Sequence, residues 1–438
     1  METISAISTP YGTGGIAVIR VCGDRAIAIV ERLTCPLQSA KGYTVHHAHL
    51  HRGDEVLDEV LVSVFRAPNS FTGEDVVEIA CHGSLYIQQE ALRWLTDEGC
   101  RPARAGEFTQ RAFLNGKMDL TQAEAVADLI AAETKAEKDL ALSQLRGSVS
   151  NELNRLRERL LHFTSLVELE LDFADHEELE FADRSELMHL ADEIEQKLHS
   201  LLTSFRTGNA IRNGIPVAII GAPNVGKSTL LNALLGEQRA IVSDIQGTTR
   251  DTIEDRLVLD GILFRLIDTA GIRDTDDTLE NMGIARSRQA AQNAQIVISL
   301  VEYGQPSTQM PFSSEQTIIK VYNKADLLQP NERMNIKDGL CISAKNGETD
   351  SLKCRLAQVA QESMQTSSVM LSNVRHYDAI SRAHDAICRV QQGLQEGISG
   401  EFLSMDLQDC LAALGEITGQ ITSQEVLNNI FSKFCIGK

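Results

Sequence analysis

Hydrophobic and polar positions change period three times along the chain. From Thr3 to about Met118, short apolar runs are punctuated by Gly, Pro and Asn. Ile16-Ala17-Val18-Ile19, Val60-Leu61-Val62-Ser63-Val64-Phe65 and Val76-Val77-Glu78-Ile79 predict strands, and the stretch from Leu85 to Leu95 predicts a helix. Beyond Asp119, Leu145, Val149, Leu153, Leu156, Leu160, Phe163, Val167 and Leu171 recur at intervals of three and four. That spacing predicts one long amphipathic helix, and no proline interrupts residues 103–215. The acidic run from Asp172 to Glu180 reads as a solvated connector between helices. From Ile215 the pattern alternates: Val217-Ala218-Ile219-Ile220, then a Gly-rich loop and a helix. Further strands are predicted near Leu263 to Ile267, Ile296 to Leu300 and Ile318 to Tyr322. Helical periodicity returns after about Ser367. The expected fold class is α/β and α, with an N-terminal α/β domain over residues 1–118 and a helical domain in two parts, 119–213 and 368–438. A further α/β domain over 214–367 is inserted between those parts.

Composition narrows the function classes. The 438 residues exceed what one core usually serves, in keeping with several domains. No run of about 18 apolar residues spans a bilayer and no secretory pattern opens the chain, so a cytoplasmic location is expected. Nine scattered cysteines with no C-x-x-C pair suit reduced thiols rather than a disulfide framework or a zinc knuckle. The net charge of −20 opposes non-specific nucleic-acid binding, so any such contact is local or assisted by a partner.

The Gly-rich loop carries the most specific chemistry. Gly221-Ala222-Pro223-Asn224-Val225-Gly226-Lys227-Ser228 follows a strand and opens a helix. Its N–H groups suit phosphates, Lys227 is a point charge, and the Ser228 hydroxyl is a Mg²⁺ ligand. Asp268-Thr269-Ala270-Gly271 ends an apolar strand, placing a carboxylate near the metal and a glycine at a γ-phosphate. Between them lies Gly247-Thr248-Thr249-Arg250-Asp251, where Thr249 can complete the Mg²⁺ shell while a triphosphate is bound, which makes the segment a switch. In Asn323-Lys324-Ala325-Asp326 the Asp carboxylate can accept from guanine N1 and N2, a donor pair adenine lacks. Ser343-Ala344-Lys345 matches the loop that supports guanine O6, and together these motifs resemble the translation-factor-like GTPases. Ile272 stands where Ras-like enzymes carry a water-orienting glutamine, so catalysis must be organised differently. Asn224 is either a ligand for a monovalent cation beside the phosphates or an amide that stabilises its loop.

Over essentially its full length the chain resembles the MnmE (TrmE) family of tRNA modification GTPases. The likeness rests on Arg101-Pro102-Ala103-Arg104-Ala105-Gly106-Glu107-Phe108-Thr109-Gln110-Arg111-Ala112-Phe113-Leu114-Asn115-Gly116-Lys117-Met118-Asp119-Leu120, on Thr121-Gln122-Ala123-Glu124-Ala125-Val126, and on the terminal Cys435-Ile436-Gly437-Lys438. The resemblance implies a homodimer joined through N-terminal tetrahydrofolate-binding domains and a GTPase activated by K⁺, with Asn224, Ser243, Ile245 and Thr248 as K⁺ ligands. It extends the GTP site to Asn224, Val225, Gly226, Lys227, Ser228 and Thr229, and to Ser243, Asp244, Ile245, Gln246, Gly247, Thr248 and Thr249. Asp268, Thr269, Ala270, Gly271, Asn323, Lys324, Asp326, Ser343 and Ala344 complete it. Glu280 matches the acid that orients water, replacing the missing glutamine. Arg20, Glu78, Lys117 and Lys438 match contacts to 5-formyl-tetrahydrofolate or a related one-carbon folate; a carboxylate suits a pterin edge and cations suit its glutamate tail. Cys435 is a candidate reactive thiol or a semi-buried structural one. The implied partners are GTP, tRNA and the flavoprotein MnmG in a heterotetrameric complex. The implied reaction adds a carboxymethylaminomethyl or aminomethyl group at position 5 of the wobble uridine.

Two other signals are set aside. His46, His47, His49 and His51 on a predicted strand read as a polar face rather than a metal site, and Gly12-Thr13-Gly14-Gly15 reads as a turn. The competing functional class is a ribosome-assembly GTPase acting as a binding switch. It would need an RNA-binding domain, and none is recognisable in the sequence.

Overall fold

The computed structural model describes residues 2–172, 184–236, 255–267, 291–305, 316–364 and 369–437. The acidic connector lies almost wholly outside them. The chain divides into two compact units. The first comprises residues 1–130, 144–161 and 408–438, and the second residues 131–143 and 162–407.

The first unit is built on a six-stranded sheet: β1 (Ile4–Ile7), β2 (Gly14–Cys22), β3 (Thr44–Arg52), β4 (Glu55–Phe65), β5 (Val76–Gly83) and β6 (Arg101–Pro102), in the order β3-β4-β5-β2-β1-β6. Only the β1 to β6 pairing is parallel. Alternation along β2 and β5 turns Ile19, Val21, Val77 and Ile79 inward, against helices α1 (Ala26–Leu33) and α2 (Leu85–Asp97). The single tryptophan, Trp94 on α2, is 1 % exposed in that core. On β3, His47 and His49 are exposed, with Glu59 of β4 3.4 Å from His49, whereas His46 and His51 are half-buried.

Helix α3 (Glu107–Leu114) carries a buried ion-pair network. The Glu107 carboxylate pairs with Arg101 and accepts from the Arg104 amide at 2.8 Å, while Arg111 donates to Glu74 at 2.7 Å and to the Glu2 carbonyl at 2.7 Å. Burial alone would raise the Glu107 carboxyl. The hydrogen bonds from Arg101 and Arg104 and the nearby guanidinium charges outweigh it and hold the group at about 2, against an ordinary 4.5. Between those values the unfolded chain binds more protons than the fold. The pair's stabilisation, about 3 kcal/mol at 1.4 kcal/mol per pH unit, is therefore complete above about pH 4.5 and lost as pH falls toward 2. Glu107→Gln leaves two arginines short of a buried partner and costs about 3–5 kcal/mol. Urea unfolding followed by Trp94 fluorescence measures this, and the variant should lose most of the acid-side slope.

Helices α4 (Leu120–Ala131), α5 (Lys135–Leu145) and α6 (Ser148–Asp172) follow. The stripe predicted as one helix from Leu145 is divided: Leu145 ends α5, a turn at Arg146 and Gly147 intervenes, and α6 carries the rest. The period survives because Val149, Leu153, Leu156, Leu160, Phe163 and Val167 are all buried on α6. Residues 131–143 belong with the second unit, where the Ala136 amide meets the Gly261 carbonyl at 3.3 Å and Glu133 pairs with Arg256.

The second unit contains another six-stranded sheet, of order β12-β11-β10-β7-β9-β8. Its strands are β7 (Ile215–Gly221), β8 (Asp255–Leu259), β9 (Ile262–Leu266), β10 (Ile296–Glu302), β11 (Thr317–Asn323) and β12 (Leu340–Cys341). All pairings are parallel except the β8–β9 hairpin. Nearly continuous apolar runs in β7 and β10 suit strands covered on both faces. Helices α8 (Lys227–Gly236), α9 (Pro330–Asn335) and α10 (Asp350–Met364) accompany this sheet. The antiparallel pair α7 (Arg184–Asn213) and α11 (Val374–Glu396) meets along Ile194, Leu198 and Leu201 on one side and Ile380, Ala383, Ile387 and Val390 on the other. Helices α12 (Gly400–Thr418) and α13 (Gln424–Phe431) complete the chain.

Candidate functional site

At the carboxyl ends of β7 and β11 the parallel sheet brings two loops together, the position where open α/β sheets place ligands. The first runs from Gly221 to Lys227. Gly226 has φ 97°, and a Cβ there would lie 2.4 Å from Asn323 Nδ2. Only glycine permits both the left-handed backbone and the approach of the second loop. Asn224 is exposed at φ 63°, a conformation asparagine tolerates better than most residues. The Lys227 ammonium donates to the carbonyls of Gly221 at 3.0 Å and Ala222 at 2.9 Å, and burial lowers its pKa. Ser228 and Thr229 sit in the first turn of α8, where unpaired N–H groups and the helix dipole favour an anion.

The second loop is tied to the first through Asn323. Its Nδ2 donates to the Val225 carbonyl at 2.9 Å, and its Oδ1 accepts from the Ala344 amide at 3.0 Å. One buried side chain thus connects three of the sequence motifs. Lys324 takes φ 62° and reaches Glu302 at 2.9 Å. Asp326 lies in a 3-10 turn (Ala325–Leu327), and its Oδ1 accepts from the Ser343 hydroxyl at 2.7 Å. That hydrogen bond, first among the causes, lowers the Asp326 pKa and keeps the carboxylate an acceptor. Ser343 and Ala344 are buried, so the residues that orient Asp326 are themselves fixed by packing.

Several predicted site residues lie outside the described residues: Ser243, Asp244, Ile245, Gln246, Gly247, Thr248, Thr249, Asp268, Thr269, Ala270, Gly271, Ile272, Glu280 and Lys438. Of the cation ligands expected from sequence, Asn224 and Ser228 are therefore the ones whose placement is described. An exposed amide oxygen on the loop and a hydroxyl at the helix start both fit hard cations.

In the first unit, Arg20 on β2 and Glu78 on β5 are directly opposed. They are joined by Nε to Oε1 at 2.9 Å and Nη2 to Oε1 at 2.7 Å. Phe71 and Phe108, which sequence reasoning missed, place their rings 5.8 and 5.5 Å from the guanidinium carbon. The carboxyl-terminal segment comes to the same place. Ala105 bridges Ile436, Arg20 Nη1 donates to the Gly437 carbonyl at 3.4 Å, and Ser8 Oγ donates to it at 3.3 Å. Gly437 has φ 94°, and a Cβ would strike the Ile7 carbonyl at 2.3 Å, which explains the glycine. Lys117 donates to the Pro68 carbonyl at 3.0 Å, on the same 68–73 loop that supplies Phe71. A cation, a carboxylate and two aromatic faces suit a planar heterocycle bearing an amidine edge. Cys435 is exposed, whereas burial pushes Cys22 up to about 12 and Cys81 and Cys100 up to about 11, holding those three as neutral thiols.

Comparison with known proteins places this arrangement. The family description "GTP-binding protein TrmE N-terminus" matches residues 3–117, and "MnmE helical domain" matches residues 120–435. The tRNA modification GTPase MnmE of Parabacteroides distasonis is 51 % identical, covering 100 % of both chains. Its counterpart in Bacteroides thetaiotaomicron is 51 % identical over 100 % of this chain and 99 % of its own. That of Flavobacterium psychrophilum is 48 % identical with the same coverage. With two domain families matched in order and half of all positions identical over the whole length, the chain belongs to the tRNA modification GTPase MnmE family.

Proposed function

We propose that this chain binds and hydrolyses GTP and uses that cycle to support modification of the wobble uridine of tRNA. The observation that carries the nucleotide half is the Asn323 bridge between Val225 and Ala344, which couples phosphate loop and base loop into one preorganised surface. Beside it, the Ser343-held Asp326 carboxylate selects guanine, and Lys227 with the first turn of α8 receives the phosphates. Mg²⁺, held by Ser228 and Thr249, would neutralise phosphate charge. In this reading Glu280 orients the attacking water. Asn224, with Ser243, Ile245 and Thr248, would hold a K⁺ ion, which would supply the positive charge that an arginine finger supplies elsewhere.

The family membership supports the tRNA half: the relatives are named tRNA modification GTPases. We assign to Arg20, Glu78, Lys117 and Lys438 the binding of a one-carbon tetrahydrofolate. The working assembly is a cytoplasmic homodimer acting with MnmG, which carries the flavin and adds the carboxymethylaminomethyl or aminomethyl group. No described helix is long and apolar enough to cross a membrane. The net charge of −20 agrees with a partner supplying much of the tRNA surface.

The cation assignment has a direct test. GTP turnover by the purified full chain in potassium buffer should exceed that in sodium buffer on the order of 10²-fold, the usual worth of one charge-stabilising group. Asn224→Ala should erase the difference. Equal rates in the two buffers would remove K⁺ from the mechanism.

A further inference from the structure

The seam between α7 and α11 is apolar along most of its length, but one turn departs from this pattern. Glu195 and His199, four residues apart on α7, share a face, and His384 of α11 lies opposite them. His384 Nε2 is 3.0 Å from Glu195 Oε1, and the two imidazole rings are 5.9 Å apart with their planes at 42°. One donor atom from each of the three side chains lies within 4.8 Å of the other two. The side chains of Glu195 and His384 are only 26 % and 20 % exposed. A Glu–His ion pair accounts for two of these groups, and the ring contact of His199 with His384 brings a third donor beside them.

We propose that Glu195, His199 and His384 form a zinc site that clamps α7 to α11. Two imidazoles and one carboxylate are a recurrent zinc donor set, whereas magnesium and calcium favour all-oxygen shells. Ligands around tetrahedral zinc stand roughly 3.3 Å apart, so donors already within 4.8 Å need only side-chain rotation. The Cys388 sulfur, one turn beyond His384, lies 3.8 Å from its Nδ1. It lies 4.0 Å from Nε2 as well, so the thiol packs beside the imidazole rather than in line with either N–H. Elsewhere α7 and α11 are held by apolar packing and by contacts such as Gln391 to Asp192 at 2.7 Å. A metal bound here would stiffen the helix pair beside the nucleotide-binding sheet. Nothing in the proposed GTP or folate chemistry uses these three residues.

The test uses the full chain, stripped with chelator, loaded with zinc in excess Mg²⁺ and desalted. About one zinc per chain should remain, and its binding should raise the melting temperature. His199→Gln, at an exposed position, should abolish both effects while leaving helical content unchanged, as should His384→Gln. A triple His46, His47, His49 to Gln variant and Cys435→Ser should retain zinc like the parent. Cobalt loading gives an independent readout, since tetrahedral cobalt absorbs visible light and His199→Gln should remove that absorbance. Zinc retained equally by His199→Gln and the parent, or absent from the stripped and reloaded parent, would overturn the proposal.

Discussion

Asp326→Asn should lower kcat/KM for GTP on the order of 10⁴-fold while raising turnover of xanthosine triphosphate above that of GTP. The carboxylate offers only acceptors, and the Ser343 hydroxyl bond that lowers its pKa keeps it so. Guanine presents two N–H donors to it. An asparagine amide turns one acceptor into a donor, so one hydrogen bond is replaced by a donor facing a donor. A site built for hydrogen bonds rejects a mismatched partner by about 10⁴ to 10⁵. Xanthine carries an oxygen where guanine carries the exocyclic amine, and the amide then has a complementary pair. Ser343 can donate equally to the amide oxygen, so the loop keeps its form. Kinetics with the two nucleotides measure the exchange, and a variant equally impaired toward both would point to a misfolded loop instead.

Lys227→Ala should reduce kcat for GTP by about 10² to 10³-fold without unfolding the second unit. The ammonium reaches the carbonyls of Gly221 and Ala222 in the loop, and in the proposed site it meets the terminal phosphates. Removing it withdraws a full charge from a partly buried place, yet breaks no packing on the interior side of α8, which is held by Leu230, Leu231 and Leu234. Circular dichroism should therefore match the parent while single-turnover hydrolysis collapses. Gly226→Ala is the contrasting variant. Its Cβ would collide with Asn323 Nδ2, so it should loosen phosphate and base loops together and lower stability as well as activity.

What could be read without the structure divides along physical lines. The Gly-rich loop, its flanking strand and helix, and the Asn323 to Asp326 motif follow from local patterns, because backbone chemistry fixes their spacing. The alternations in β2 and β5 place Arg20 and Glu78 on strands. That these two residues face one another depends on register, which no local pattern states. Asn323 marks a guanine motif in sequence, but its tie to Val225 spans 98 positions and emerges only from the β7–β10–β11 order. The buried network of Glu107 with Arg101 and Arg111 follows from no hydrophobic period, since burial is a property of packing. The predicted long helix from Leu145 failed at Arg146 and Gly147, where the hydrophobic period continues across a turn that the period cannot detect. His199 and His384 carry no motif at all, because their meeting is made by two helices far apart in the chain.

Nucleoside analysis of tRNA from cells lacking the protein shows whether GTP hydrolysis at this site drives tRNA wobble modification. These cells should lose the 5-substituent on wobble uridine, the parent chain should restore it, and an equally abundant Lys227→Ala chain should not. Unchanged wobble uridines in the deletion, or full restoration by Lys227→Ala, would contradict the claim and favour a GTP-dependent binding role elsewhere, such as ribosome assembly.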